Sequence, residues 1–366
     1  MSTLKKITKW FLLSLLSLII ILAVFGFWFR SLLPPLPSNE ISKTLPTDLP
    51  YLIDDLPTAR GKILAVVTST NVMGSSGKST GYELTELSRA YFVFQANGFE
   101  VDIASPQGGN PPVIIDDEDM GPFDFAFLND KTAQRKAKNT WAISDVNPDE
   151  YAAIYFVGGK GAMYDFPENE DIQAIVSSYY QSGKVIGAVC HGPAALVNVT
   201  LDNGQSLLKN KRISSFTNQE ELFLIPDAAT IFPFLLEDKL VERGAKFSEG
   251  TMYLENVMKD GNLVTGQNPW STWTLAESMI QQLGYTPKER LKTPDENAIE
   301  ILGTLHDEGY SASKKAITAM GENDLEMNRI LLAMHGIVAA MQWELGKSFQ
   351  LIGLLSHAKS VAELPS

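Results

Sequence analysis

Cysteine and histidine are both scarce here: there is one cysteine, Cys190, and there are four histidines in 366 residues. A single thiol cannot build an internal disulfide framework or a cysteine-rich zinc site, so packing or reactivity is what remains for Cys190. Positive charge is also short. Lys and Arg number 30 against 43 Asp and Glu, a net charge of −13. A broad phosphate-binding surface needs clustered Lys and Arg, so nucleic acid is excluded as a partner class. His306, His335 and His357 all fall near the C-terminus, and no spacing points to a metal site; neither a metal nor another cofactor is expected.

Apolar residues are plentiful, at 45% of the chain. Residues 10–29, Trp10 to Phe29, carry no charge, and a run of roughly 20 apolar residues is the length a helix needs to cross a bilayer. Lys5, Lys6 and Lys9 precede the run and only Arg30 follows closely, which predicts a single-pass membrane anchor with residues 1–9 in the cytoplasm and the rest periplasmic or otherwise extracytoplasmic. A cleavable signal peptide is the rival, but the stretch is long for one and no small-x-small site follows Phe29. Residues 30–60 hold Pro34, Pro35, Pro37, Pro46, Pro50 and Pro57 and read as a semi-rigid extended linker.

From Gly61 the pattern alternates strand and helix: ILAVVTST, a helical stretch from Tyr82 to Asn97, then FEVDIASP, AAIYFVGG at 152–159, KVIGAVC at 184–190, RISSF at 212–216 and NLVTG at 262–266. Short, β-branched, nearly continuous apolar strands suit a sheet buried on both faces. The fold class expected is therefore α/β, a doubly wound, mostly parallel sheet in a flavodoxin-like three-layer sandwich, with ligands gathering at the carboxyl ends of the strands. GSSGKST at 74–80 has the look of a phosphate loop, but the glycine needed five residues before the Gly-Lys pair is replaced by Val72, so it reads as a flexible active-site loop. Residues 286–366 turn helical. Thr293, Pro294 and Glu296 form a capping box with a first-turn proline, and a second helix is expected from about Asn323 to Leu345 as part of an appendage.

In KVIGAVCHGPAAL an apolar strand ends at Cys190, and Gly192, Pro193 and a helical run come directly after. That is the strand-turn-helix context of a nucleophile elbow, whose helix N-terminus would favour thiolate over thiol. A buried structural cysteine at a strand end is the alternative on position alone.

The segments TGYELTEL, FEVDIASPQGG, VGGKGAMYDFPEN, AVCHGPAAL, SFTNQEE, PFLLEDKLVERGAKF and LVTGQNPWST occur in order between Gly61 and Gly284. Together they resemble the ThiJ/PfpI superfamily, of the class I glutamine amidotransferase-like fold, and within it the glyoxalase III and stress-chaperone branch. The resemblance makes 61–285 the catalytic domain. It implies Cys190 as nucleophile, His191 as the family histidine and Glu86 as the carboxyl against the sulfur, the spacing from Gly81 favouring Glu86 over Glu83. It implies Glu221, with Glu220 as the alternative, as the acid that orients His191, and Gly158 and Gly159 as the turn whose N–H groups face an oxyanion. Two departures place Lys160 and Arg89 where that branch tends to carry histidines near the pocket. The function implied is cofactor-independent turnover of small reactive carbonyls such as methylglyoxal, in stress protection and in a homodimer. The alternatives are a chaperone scaffold without turnover, or a cysteine hydrolase, for which a histidine adjacent to its cysteine in sequence is an awkward base.

Overall fold

The computed structural model describes residues 2–34, 40–116 and 119–363. Pro35 and Pro37, and the side chains of Lys5, Lys6 and Lys9, lie outside the described residues. The chain forms two compact units, one comprising Ser38–Leu291 and the other Met1–Pro37 with Lys292–Ser366.

The Ser38–Leu291 unit is built on a seven-stranded sheet: β1 (Gly61–Val66), β2 (Phe99–Ser105), β3 (Trp141–Ala142), β4 (Ala153–Phe156), β5 (Val185–Val189), β6 (Val257–Asp260) and β7 (Leu263–Gly266), in spatial order β6-β7-β5-β4-β1-β2-β3. All pairings are parallel except β6 with β7. Side chains alternate across the pleat, and each face is covered. Ile63 and Ala65 of β1 join one core with Leu87, Tyr91 and Met279, from helices Leu84–Ala96 and Thr272–Gln282. Leu64 and Val66 join the other with Ile172, Val176 and Tyr179 of helix Glu170–Ser182. Each fully buried Ile or Leu of this kind contributes roughly 1.5–3 kcal/mol. The chain leaves β1 toward β2 on one side and returns to β4 on the other, so the order reverses between β1 and β4, where a doubly wound sheet opens a crevice at its strand ends.

Four local expectations change. Of RISSF, only Arg212–Ile213 is a strand, and it pairs with Lys246–Phe247 in a separate two-stranded sheet. The Ser214 N–H donates to Thr265 Oγ1 and the Phe216 N–H to the Cys190 carbonyl, so this backbone is tied to the elbow and not to a sheet ladder. Tyr82 and Glu83, expected to be helical, form a two-residue strand with Val113–Ile114, and the helix starts at Leu84. GSSGKST is no loose loop: Met73 N–H donates to the Lys78 carbonyl, Thr80 N–H to that of Asn71, and Val72 bridges Ser79. The proline-rich linker is not extended beyond Glu40. Ile41–Lys43 and Pro46–Asp48 are 3₁₀ turns and Pro50–Ile53 a helical turn, since proline at a first helical position is preorganised for a turn. Asn129 Nδ2 donates to the carbonyls of Ser42 and Thr44, and Leu49 and Leu52 pack on the core, so this stretch belongs to the sheet unit.

In the other unit the N-terminal helix runs Ser2–Leu32, and its segment Trp10–Leu32 is, among the described residues, the one helix long and apolar enough to cross a membrane. The C-terminal helices are Pro294–Asp307, Tyr310–Glu322, Arg329–Met341 and Leu345–Ala362. The capping box forms as read: the Glu296 N–H donates to Thr293 Oγ1 at 3.2 Å and the Thr293 N–H to Glu296 Oε2 at 2.9 Å. The helix expected at 323–345 is shorter at both ends. Asn328 caps its start, and Trp343, at φ +62, breaks it from the next helix.

Candidate active site

β5 delivers Cys190 at the carboxyl edge of the sheet, and the backbone there turns sharply, with Cys190 at φ +58. A non-glycine residue in the left-handed region is strained and persists only where its surroundings over-determine it. Here they do. The Cys190 N–H donates to the Gly266 carbonyl at the end of β7, and its carbonyl accepts from Phe216 N–H, both at 2.9 Å. Gly192 permits the bend, because any Cβ there would strike the Phe156 carbonyl.

The segment after the cysteine is not an α-helix. Gly192–Leu196 is a five-residue 3₁₀ turn, too short for a substantial macrodipole, and the expectation of a thiol pushed toward thiolate by a helix end is overturned. Cys190 is buried, 3% exposed. Burial pushes its thiol well up, the charges of Glu86 and Glu83 push the same way, and Lys160 offsets part of this. Any activation must come from a group that takes the proton.

Two such groups flank the sulfur. Glu86 stands in the first turn of helix Leu84–Ala96, fully buried. Its Oε2 accepts the Gly158 N–H at 2.7 Å, while Oε1 has no hydrogen-bond partner. Tyr155 donates its hydroxyl to the Glu86 carbonyl at 2.9 Å and so braces the helix start. Burial raises the Glu86 carboxyl to about 8; Glu83 adds to the rise, and the Cys190 thiol, the Gly158 N–H and Lys160 pull it back. A methyl built on Gly158 would lie 2.5 Å from Glu86 Oε2 and 2.8 Å from Cys190 Cβ, so the bare Cα of Gly158 is the spacer that lets carboxyl and thiol side approach. Gly158→Ala should push the pair apart and, because the methyl would also lie 2.7 Å from the Val189 carbonyl, shift the end of β5 slightly while keeping the overall fold. The expected result is a fall in turnover of about 10²-fold, as misplacement by about 1 Å costs, with near-normal circular dichroism.

The second group is His191, whose Nδ1 lies 3.3 Å from Cys190 Sγ. Adjacency in sequence therefore does not keep the imidazole from the sulfur, contrary to expectation, because the left-handed turn swings both side chains to one side. Its Nε2 lies 2.5 Å from Glu221 Oε2, and the ring packs 4.8 Å from that of Phe216. With Glu221 accepting the Nε2 proton, the tautomer is set and Nδ1 is left free to accept from the thiol. Glu220 is the other candidate acid, and the structure gives it different work: it accepts from the N–H groups of Thr217 and Tyr253 and from the amides of Gln267 and Asn268, cross-linking the loops behind the site.

The remaining candidates divide. The Gly158 N–H is committed to Glu86, so Gly158 is not an oxyanion donor. Gly159, at φ +102, and His191, next to the thiol in sequence, have main-chain N–H groups that make no hydrogen bond among the described residues and are available as donors. Lys160 is half-buried and near enough to act on Glu83, Glu86 and Cys190 through its charge. Arg89, expected at the substrate pocket, is 3% exposed; its Nη2 donates to the Asp119 carbonyl at 2.6 Å and pairs with Asp124 at 3.3 Å, and Ser88 shares that carboxylate. A buried guanidinium needs such partners, and Arg89 holds the 119–124 segment in place. Two more residues join the site: Glu83, the other acid of TGYELTEL, and Tyr253, which no motif marks. Glu83 is a half-buried acid whose affinity for its proton is raised by burial to about 7, offset by Lys160. Tyr253, at φ +58, has its phenol pushed up by burial and by the charges of Glu220, Glu221 and Cys190, and only tertiary folding brings it there. Among the described residues no group of three or more His, Cys, Asp or Glu side chains suits a metal ion.

The model of the DJ-1/PfpI family matches residues 78–282, the stretch that contains Glu86, Gly158, Cys190, His191 and Glu221. The chain belongs to the DJ-1/PfpI family. Among its relatives in that family is Glyoxalase 3 of Candida albicans, 32% identical over 231 residues that make up 60% of this chain and 97% of the relative. The glutathione-independent glyoxalase HSP31 of Saccharomyces cerevisiae is also 32% identical over 231 residues, 61% of this chain and 98% of that one. Among solved structures, the Rapid Encystment Protein 24 KDa of Francisella tularensis is 39% identical with a TM-score of 0.58, covering 61% of this chain and 99% of that chain. The DJ-1/PfpI match ends before the C-terminal helices, which begin at Pro294.

Proposed function

We propose that this protein is a cofactor-independent, glutathione-independent glyoxalase that converts small 2-oxoaldehydes such as methylglyoxal into 2-hydroxy acids. The observation that carries this is the Cys190–Glu86 pair around the bare Cα of Gly158. Both groups are buried and both hold their protons more tightly than usual, so once one proton is lost the pair shares the other between sulfur and carboxyl. In that state Glu86 takes the thiol proton as the sulfur attacks the aldehyde carbon, and returns it to the oxygen to give a hemithioacetal. The freed carboxylate then removes the hydrogen from C1, giving an enediolate whose negative oxygen faces the unpaired N–H groups of Gly159 and His191. Glu86 delivers that proton to C2 while the C1 hydroxyl proton passes to the C2 oxygen, leaving a 2-hydroxyacyl thioester on Cys190. Water hydrolyses it, with His191 and Glu221 placed to accept the water proton, and releases the hydroxy acid and the free thiol. The aldehyde carbon is oxidised and the ketone carbon reduced within one molecule, so no external electron carrier is required. Burial of the thiol favours small carbonyl compounds over bulky ones. The relatives' names support the reading. The test is loss of methylglyoxal and appearance of lactate with purified chain and no glutathione.

A cysteine hydrolase is the second reading, favoured by the Cys190–His191–Glu221 relay with separations of 3.3 and 2.5 Å. The expected result with casein or glutamine is no peptide or ammonia release at rates comparable with methylglyoxal loss. Release that disappears in Glu221→Gln would instead favour the relay.

The cellular placement in this proposal is a single-pass anchor, Trp10–Leu32, with its N-terminus cytoplasmic and the sheet unit on the opposite side of the membrane. Its support is the apolar length together with Lys5, Lys6 and Lys9 ahead of it in the sequence.

A further inference from the structure

The C-terminal helices present their apolar residues in an unusual way. Helix Arg329–Met341 buries Leu331, Leu332 and Gly336 inward, as an amphipathic helix should. Its opposite stripe, Met334, Ile337 and Met341, is apolar as well and exposed. The stripe continues past the break through Trp343, Leu345 and Phe349, with Trp343 85%, Phe349 72% and Met341 64% exposed. Solitary exposed apolar residues are ordinary, but a contiguous stripe of large ones marks a surface that something apolar covers.

The neighbouring element says what that is. Within the same unit, an apolar groove of about 440 Å³ has Phe25 and Phe29 of the N-terminal helix on one wall and Ile337, Met341, Ile352 and Leu355 on the other. Arg329 Nη1 donates to the Leu32 carbonyl at 3.1 Å, pinning the start of helix Arg329–Met341 to the last turn of the N-terminal helix. Apart from Leu32 at its end, which is buried, the described side chains of the Trp10–Leu32 segment are not buried within the protein, and its length is that of a bilayer. Whatever apolar phase surrounds Phe25 and Phe29 is continuous with the groove and with the stripe beyond it. The indole of Trp343 beside the Lys347–Glu344 ion pair, 3.3 Å apart, is the mixture of aromatic and charge found where hydrocarbon meets headgroups.

We infer that the C-terminal helices are a membrane-seated module: helix Arg329–Met341 and the first turns of helix Leu345–Ala362 lie in the bilayer interface beside the exit of the anchor, with lipid acyl chains filling the groove. This rests on the anchor proposed above. Full-length chain carrying Cys190→Ser, so that an introduced thiol is the only one, is reconstituted in phosphatidylcholine vesicles and spin-labelled at Ile337→Cys or Phe349→Cys. Ile20→Cys, inside the span, and Lys131→Cys, on the exposed surface of the sheet unit, are the references. Collision with oxygen, which partitions into lipid, is compared with collision with a water-soluble nickel chelate. The labels at 337 and 349 are expected to favour oxygen several-fold more than the label at 131, at depths shallower than 20. Chelate access at 337 and 349 equal to that at 131, with 20 still reading lipid, overturns the inference and leaves the anchor standing. Aqueous readings at 20 as well remove the anchor and the inference with it. Spin–spin broadening at 349 that vanishes on dilution with unlabelled chain would put a second copy on the stripe and also overturn it.

Discussion

Cys190→Ala is expected to abolish methylglyoxal consumption, lowering kcat/KM by at least about 10³-fold, because the sulfur forms the covalent link between protein and substrate on which every later step depends, and no second thiol exists in the chain. Alanine suits the position poorly on backbone grounds alone, since φ there is +58 and the strain remains without its purpose. The variant should nevertheless fold, as the two main-chain hydrogen bonds of residue 190 to Gly266 and Phe216 are kept. Lactate formation by a folded Cys190→Ala variant at the wild-type rate would dismiss the covalent mechanism. A helix-activated thiol would also predict a sulfur that alkylates quickly at neutral pH, whereas a buried thiol that gives its proton only to the Glu86 carboxylate predicts iodoacetamide alkylation that is slow at neutral pH and rises with the same titration as turnover.

The second large effect belongs to Glu86, and it has two readouts that a merely structural residue would not produce together. The reactive form needs one proton removed from the pair, and the first to leave is that of the carboxyl raised to about 8. Wild-type kcat/KM should therefore climb about tenfold per pH unit below about pH 8 and level off above it. Glu86→Gln should lose about 10²–10⁴-fold in rate together with that pH dependence. Stability runs the other way. The folded chain binds this proton with a value of about 8 against 4.5 for a free carboxyl, so between those values it holds a proton that the unfolded chain has released. Native stability accordingly falls as pH rises from about 4.5 through about 8, and the whole penalty is present above that. Glutamine carries no such penalty, and its side-chain oxygen can still accept the Gly158 N–H. Glu86→Gln should thus melt measurably higher than wild type at pH 8, with little difference near pH 5. A flat pH–rate profile between pH 6 and 8, or a melting difference independent of pH, would remove Glu86 from the mechanism.

Much of this was legible in the primary structure, and for identifiable reasons. β1, β2, β4, β5 and β7 sit where continuous apolar runs predict them, because strands buried on both faces tolerate little else. The Thr293 capping box is a local interaction spanning three residues and formed as read. β3 and β6 escaped notice because they are edge strands, one of two residues and the other half-exposed, with no apolar signature. RISSF misled because its hydrogen bonds go to Thr265 and Cys190, partners remote in sequence. The partners of Arg89 were hidden for a similar reason: Asp124 and the Asp119 carbonyl, which hold its guanidinium, are folded against it from about 30 residues away in sequence.

Taken alone, the order of residues determined the α/β class, the elbow at Cys190, the bilayer-length N-terminal run and the short cast of acids that can serve the thiol, since each depends on periodicity or on neighbours within a few positions. Only the tertiary structure decided that Glu221 and not Glu220 meets His191, that the Gly158 N–H serves Glu86 in place of an oxyanion, and that the thiol is held protonated by burial. Those outcomes depend on distances of a few ångströms between strand ends far apart in the chain, and on the exclusion of water from the space between them, neither of which any local pattern encodes.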